Sequence, residues 1–218
     1  MTDYELRRRT CLALRQLTKC YQYQDSVHRF SASPPAVDAI SMAVFPGECF
    51  GLLGVNGAGK TTLLRMITGD LDPTQGQIYV NGFQLASQLR EAQQSMGYCP
   101  QFDALLDYLT GRETLQLFGR LRGMKEPLLV EEINYLLRAL HLSSHANTLV
   151  RHYSGGKRRR LSAAVALVGG TPLICLDEPT TGVDPVSRRR MWNLFQHCCR
   201  LGRTILLTSH SQNSPGFS

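Results

Sequence analysis

The glycine-rich stretch at residues 54–62 has the residue types and the spacing that bind the phosphates of a nucleotide. Its sequence is GVNGAGKTT, which matches the pattern G-x-x-x-x-G-K-[ST] and lies between two apolar runs. Glycines let the backbone curl so that several N–H donors converge on a phosphate chain, and a following helix N-terminus adds its own N–H groups. In this pattern Lys60 reaches the β- and γ-phosphates and the hydroxyl of Thr61 ligates Mg²⁺, which is favoured here over a bare turn before a core helix. The predicted phosphate-binding residues are Gly54, Asn56, Gly57, Ala58, Gly59, Lys60, Thr61 and Thr62.

Two adjacent carboxylates, Asp177 and Glu178, directly follow the apolar segment at residues 173–176. A short segment without polar residues predicts a central strand that is covered on both faces. Sheets in α/β proteins bind ligands at the carboxyl ends of such strands. Asp177 could therefore hold the Mg²⁺ of a nucleotide, and Glu178 could polarise an attacking water. The alternative is a solvated acidic loop, which this position at a strand end disfavours.

A second candidate anion site follows Tyr153, where Ser154, Gly155 and Gly156 precede Lys157 and a predicted helix. Serine is a good N-cap, and two glycines leave the helix start open to a ligand. Taken alone, such a turn is more often only a turn.

Two polar residues end further predicted strands. Gln101 ends a short strand at residues 97–101, and His210 follows a strand at residues 204–208. Both therefore belong to the group of candidate residues at strand ends.

The elements around these residues predict an α/β fold. Strands are expected at residues 12–21 and 40–44, with a surface loop at residues 22–35 between them. Asn81 and Gly82 favour a type I′ hairpin, in which both residues take positive φ. The first third of the chain should thus combine antiparallel hairpins with one strand that leads into the phosphate loop.

The middle of the chain is predicted to be helical. Thr110 and Glu113 form a capping box, and apolar residues at helical spacing follow it. Farther on, Asp184 is the expected N-cap of a helix that has Pro185 at its first position. The predicted division is a catalytic core at 12–100 and 165–211, a helical subdomain at 103–164, and an irregular tail at 212–218.

Composition narrows the function. The 218 residues suffice for one domain with a subdomain, and the net charge of +7 derives partly from basic runs at residues 7–9, 157–160 and 188–190. Nucleic-acid binding is possible, but a nucleotide-binding or helix-surface role is favoured for the last two runs, so no nucleic-acid partner is expected. No apolar stretch approaches the roughly 20 residues that cross a bilayer. Seven scattered cysteines, an odd number, favour a reducing compartment.

The order of the motifs resembles the nucleotide-binding domain of ABC transporters. The phosphate loop is followed by Gln101, then by residues 153–157, then by Asp177 and Glu178, and finally by His210. The loop alone also occurs in kinases and GTPases, so the specific part is the Ser-Gly-Gly signature about twenty residues before the carboxylates. The runs at 47–53, 97–103 and 176–182 are similar to the A subfamily, whose members are mostly lipid exporters.

This resemblance implies a P-loop NTPase core with an antiparallel β subdomain and an inserted helical subdomain. It also implies ATP as ligand, with Tyr21 stacking on adenine and Tyr23 as the fallback. By the same resemblance, Gln101 senses Mg²⁺ and the attacking water, Asp177 holds Mg²⁺, Glu178 is the catalytic base, and His210 contacts the γ-phosphate together with Lys60.

The signature implies a partner. In the family that this chain resembles, the residues matching Ser154, Gly155 and Gly156 cap the ATP of a second cassette, and the residue matching Asp184 lies in the inter-subunit loop. We therefore expect a head-to-tail pair of cassettes that sandwiches two ATP molecules. Transmembrane domains would hold the cassettes at the cytoplasmic face of a membrane, and lipid export would be the driven process.

Two alternatives to this function stay open. One is a soluble ABC ATPase that acts on nucleic acid or on the ribosome. The other is a non-catalytic module that only binds nucleotide, because the family's cassette usually continues well past the position of His210. On that comparison the chain is expected to be a fragment or a short form, with reduced stability.

Overall fold

The computed structural model describes residues 9–24, 30–32 and 34–209. The strands are β1 (Leu12–Lys19), β2 (Gln22–Gln24), β3 (Phe30–Ala32), β4 (Val37–Val44), β5 (Cys49–Leu53), β6 (Gln75–Val80), β7 (Phe83–Gln84), β8 (Met96–Cys99), β9 (Leu173–Leu176) and β10 (Thr204–Ser209). The α-helices are α1 (Lys60–Ile67), α2 (Leu89–Gln94), α3 (Gly111–Leu121), α4 (Leu128–Ala139), α5 (Gly155–Leu167) and α6 (Pro185–Arg200), and short 3₁₀ helices lie at Ser143–His145 and Val150–His152.

A parallel sheet of four strands, in the order β5-β10-β9-β8, carries the candidate site. In its register Leu176 of β9 lies opposite both Cys99 of β8 and Leu207 of β10. Ser209 at the end of β10 lies opposite Leu53 at the end of β5. The four carboxyl ends therefore meet at one edge, as the sequence predicts for the polar residues that follow them.

An antiparallel sheet, in the order β4-β1-β6-β7, forms the β subdomain. The hairpin between β6 and β7 turns at Asn81 and Gly82, whose φ values of 49° and 85° are both positive, as the type I′ prediction requires. The prediction of a loop over residues 22–35 was wrong in part, because β2 and β3 pair with each other there. Strands of three residues are too short to show a periodicity in the sequence. The first strand, predicted for residues 12–21, ends at Lys19.

The parallel sheet separates two apolar layers. On one face, Ile174 and Leu207 pack with the helices α3 to α6. On the other face, Cys175 and Leu206 pack with α1 and with the antiparallel sheet. Every residue of β9 is buried, which confirms the prediction of a central strand covered on both sides.

The inserted helical part begins with the predicted capping box. The Glu113 N–H donates to Thr110 Oγ1 at 3.2 Å, and the Thr110 N–H donates to Glu113 Oε2 at 2.8 Å. The helix α5 continues to Leu167 and so crosses the boundary predicted after residue 164. Among the described residues, no helix is both long enough and apolar enough to cross a bilayer.

Candidate nucleotide-binding site

The phosphate loop connects the end of β5 to the start of α1. Gly59 precedes the helix with φ of 85°, and a Cβ atom there would lie 2.2 Å from the carbonyl oxygen of Ala36. Gly57 also has a left-handed backbone, with φ of 83°. Both the backbone conformation and the contact with Ala36 therefore require glycine at residue 59. The predicted order of strand, tight loop and helix is confirmed.

The side chain of Lys60 lies within the curl of this loop. Its Nζ donates to the carbonyl oxygens of Gly54 at 2.6 Å and Val55 at 3.0 Å. A cavity of about 360 Å³ opens in front of the loop. Its lining consists of Ala36, Asn56, Gly57, Ala58, Gly59, Lys60, Thr61, Thr62, Gln101 and Glu178. The fold thus brings most of the phosphate loop, the residue after β8 and the second carboxylate after β9 to one cavity.

Asp177 is fully buried at the end of β9. Thr208 of β10 donates its hydroxyl to Asp177 Oδ1 at 2.6 Å. The other carboxylate oxygen, Oδ2, is buried and has no hydrogen-bond partner among the described residues. Burying such an oxygen without a partner is costly, which points to a missing ligand at this position.

Glu178 has an unusual backbone, with φ of 49°. Its N–H donates to the hydroxyl of Thr208 at 2.9 Å, and its Oε2 accepts from the hydroxyl of Thr181 at 3.2 Å. A non-glycine residue keeps a left-handed conformation only where its surroundings hold it, and such residues cluster at functional sites. Its side chain is buried yet lines the cavity in front of the phosphate loop.

Gln101 is exposed and lines a second cavity as well, of about 510 Å³. This second cavity also touches Thr61 and Asp177, but its walls are mostly apolar. Burial, and the nearby charge of Asp177, raise the pKa of the Tyr98 hydroxyl in its wall. We refer to this second cavity as the apolar groove.

The predicted adenine-stacking residue lies beside the phosphate loop. The hydroxyl of Tyr21 is 3.4 Å from Thr62 Oγ1, and the ammonium of Lys19 lies 5.7 Å from the centre of its ring. Tyr21 does not line the cavity in front of the loop. The side chain of Tyr23 and all of His210 lie outside the described residues, so their predicted roles stay predictions.

The signature residues lie apart from this cavity. Ser154 and Gly155 are exposed at the start of α5, and a Cβ atom on Gly156 would lie 3.4 Å from the carbonyl oxygen of Gly182. Ser154 occupies the predicted N-cap position, and its side chain makes no capping hydrogen bond. Asp184 does cap α6, and the hydrogen bond from the N–H of Ser187 lowers the pKa of its carboxyl.

Comparison with known proteins identifies the family. The sequence profile described as ABC transporter matches residues 37–181. The chain belongs to the ABC transporter family. It is 50% identical over 200 residues to the retinal-specific phospholipid-transporting ATPase ABCA4 of Bos taurus and 48% identical over 202 residues to the phospholipid-transporting ATPase ABCA3 of Rattus norvegicus. These alignments cover 92% and 93% of this chain but only 8% and 11% of those relatives.

Solved structures agree with the predicted P-loop NTPase fold. The ATP-binding subunit of an ABC transporter superposes with a TM-score of 0.82 at 27% identity, over 92% of this chain and 80% of that one. A dimeric ATP-binding cassette with bound ADP and Pi superposes with a TM-score of 0.83 at 23% identity, over 93% and 89% of the two chains. The sequence relatives reported above are members of subfamily A, as the runs at residues 47–53, 97–103 and 176–182 predict.

The structural roles of two residues, Thr208 and Arg159, were not predicted from the sequence. Thr208 donates its hydroxyl to the Asp177 carboxylate and accepts from the N–H of Glu178, but in the sequence it resembles an ordinary strand residue. The available signal is a hydroxyl that follows three apolar residues of a strand. Arg159 belongs to the basic run for which a nucleotide-binding or helix-surface role was expected. It is only 5% exposed, and Arg160 beside it is also buried. The helix-surface role was wrong for Arg159 and Arg160, because α5 is packed on several faces and the two guanidinium groups donate to backbone carbonyl oxygens.

Proposed function

We propose that this cassette binds and hydrolyses Mg²⁺-ATP to power a membrane transporter. The observation that carries the proposal is the single cavity lined by the phosphate loop, Gln101 and Glu178. Phosphoryl transfer to water requires mainly positioning and charge neutralisation. Lys60 and the N–H groups at the start of α1 would bind the phosphates, and Glu178 would accept the proton of the attacking water.

The donor set of the site fits Mg²⁺. Asp177 Oδ2 is a buried carboxylate oxygen without a partner among the described residues, and Thr61 lies on the same groove. Mg²⁺ prefers oxygen ligands and is usually held by one or two carboxylates together with substrate phosphates. Asp177, Thr61 and Gln101 would hold it, and it would neutralise charge on the phosphates.

The position of the signature supports a head-to-tail pair of cassettes. Gly155 is exposed, its φ is not left-handed, and a Cβ atom there meets no atom within 4 Å. The single chain therefore has no need for glycine at this position, whereas close approach to the phosphates of a partner's ATP would need it. Ser154, Gly155 and Gly156 would act on that second nucleotide, with Asp184 at the contact between cassettes.

Replacing Gly155 with aspartate tests the pairing. The variant Gly155→Asp should keep its melting temperature and its affinity for ATP within about twofold, because the new side chain enters open space and lies away from the cavity. Its hydrolysis rate should be lost, since a carboxylate would repel the partner's phosphates. Equal loss of binding and turnover would refute the pairing.

The apolar groove supports the proposal that transmembrane domains are a second partner of this cassette. Phe102 lines the groove and is 84% exposed, and Leu105 and Phe118 line its wall as well. An exposed aromatic ring in an apolar groove suits an amphipathic helix that packs into the groove. We propose a helix from a transmembrane domain as the occupant, which would hold the cassette at the cytoplasmic face of a membrane. By analogy with the relatives' names, phospholipid is the proposed cargo.

The decisive measurement is Mg²⁺-ATP hydrolysis by the purified chain across a range of protein concentrations. A rate that rises faster than linearly, and that is lost in Glu178→Gln, is the expected result for a pair of cassettes with Glu178 as base. ATP binding without turnover at any concentration would instead support the non-catalytic module. No ATP binding at all would refute the nucleotide site itself.

A further inference from the structure

Arg159 lies where three parts of the catalytic region meet. It belongs to the first turns of α5, whose N-terminus carries the exposed Ser154 and Gly155. Its side chain is nevertheless almost completely buried, at 5% exposure. A buried guanidinium is stable only where acceptors satisfy its several N–H donors.

The acceptors of Arg159 come from two different strand ends. Its Nη1 donates to the carbonyl oxygen of Pro100 at 2.5 Å and to Asp103 Oδ1 at 3.2 Å, both in the segment after β8. Its Nη2 donates to the carbonyl oxygen of Glu178 at 2.9 Å and also to that of Asp177. The Arg159 side chain thus joins three parts of the fold: the helix α5, which we call the signature helix, the segment that contains Gln101, and the backbone of Asp177 and Glu178.

We infer that Arg159 is a positioning residue for hydrolysis, a role that rests on the proposed ATPase function. The left-handed backbone of Glu178 is bonded on both sides, by Thr208 at its N–H and by Arg159 at its carbonyl oxygen. Without Arg159 the carbonyl oxygen of Glu178 keeps only the bond from the N–H of Thr181 at 3.2 Å, so the peptide that orients the Glu178 carboxylate is held less firmly. Arg159 itself touches no substrate; it acts through the backbone of the base.

The same contacts make the position of the base depend on the signature helix. Because Arg159 is part of α5, any displacement of that helix against the parallel sheet must move or break its bonds to Asp177 and Glu178. Arginine suits this role because its planar fork directs five donors from three nitrogens toward acceptors that lie apart, whereas the donors of lysine all leave one nitrogen. Arg159 therefore links engagement of the signature to the geometry of hydrolysis.

The first test separates catalysis from binding and folding. Arg159→Lys should lower kcat at least 30-fold while the dissociation constant for ATP, measured by calorimetry, changes less than threefold. Arg122→Lys is the matched control, because Arg122 is half-buried and donates to the carbonyl oxygens of Val165 and Ala166 at the other end of α5. The control should lose comparable thermal stability and keep kcat within threefold.

The second test asks whether Arg159 acts through Glu178. In the Glu178→Gln background, adding Arg159→Lys should change the residual single-turnover rate less than threefold, since residues that act as one unit are not additive. A full additional loss would overturn the inference, as would unchanged kcat in Arg159→Lys. An inactive wild-type chain would instead refute the proposed ATPase function.

A third variant keeps the inference testable if Arg159→Lys fails to fold. Asp103→Asn removes the negative charge beside Arg159, keeps an oxygen that can accept its hydrogen bond, and leaves the bonds of Arg159 to Asp177 and Glu178 in place. It should lower kcat three- to tenfold with unchanged ATP affinity. A normal kcat in this variant, with the arginine variant unfolded, would count against the positioning role.

Discussion

Replacing Thr208 with valine should destabilise this cassette far more than the exchange of a buried side chain for another of equal size and shape usually does. Thr208 is fully buried, and its hydroxyl makes two hydrogen bonds, one with the Asp177 carboxylate and one with the backbone of Glu178. It donates to Asp177 Oδ1 at 2.6 Å and accepts from the N–H of Glu178 at 2.9 Å. Valine keeps the size of the side chain but removes both bonds.

The magnitude follows from the two orphaned groups. A hydrogen bond to a charged group is worth about 1.5–3 kcal/mol, and a buried N–H left without an acceptor costs about 1–3 kcal/mol. Together the free energy of unfolding should fall by about 2.5–6 kcal/mol, a large part of the roughly 5–15 kcal/mol that stabilises a typical protein. For a domain of this size the melting temperature should fall by at least about 5 °C.

The assay is urea unfolding followed by circular dichroism, at pH 7 and without nucleotide. Thr208→Ser is the matched control, because it keeps the hydroxyl and loses one methyl group, at a cost of about 1 kcal/mol. A loss below about 1 kcal/mol in Thr208→Val would refute the reasoning, as would equal losses in the two variants. Hydrolysis should also fall in Thr208→Val, since Asp177 and Glu178 lose a shared anchor.

Three further outcomes are expected. Gly59→Ala should abolish ATP binding measured by calorimetry, because its φ of 85° and its overlap with Ala36 force the phosphate loop aside; affinity within threefold of wild type would contradict this. Hydrogen bonds from Thr110 lower the pKa of Glu113, so this carboxylate adds stability above the usual glutamate pKa of about 4.3 and loses that contribution as pH falls through the lowered value. The difference in urea midpoint between wild type and Glu113→Gln should therefore be present at pH 7 and shrink as the pH falls below about 4.3, and a difference that does not change with pH would refute the role of charge. Phe102→Ser should leave the melting temperature and basal hydrolysis of the isolated cassette unchanged, because the ring is 84% exposed, and a fall above 5 °C would show that it packs in the fold.

The sequence alone predicts those parts of the cassette that depend on neighbouring residues. The phosphate loop is local, because glycines at fixed spacing before a helix determine its backbone. The capping box at Thr110 and Glu113 and the hairpin at Asn81 and Gly82 are local in the same sense, and both are confirmed. The order of motifs along the chain also indicates the family, which the comparisons confirm.

Only the tertiary structure shows the roles of Arg159 and Thr208, because these depend on contacts between residues far apart in the sequence. Arg159 belongs to a basic run that suits a surface, and its burial depends on carbonyl groups 18 to 59 residues away in the chain. The role of Thr208 depends on the register of β10 beside β9, which places its hydroxyl next to residues 30 and 31 positions earlier. A side chain's partners across a sheet follow from how the strands pair, and no pattern around that residue encodes the pairing.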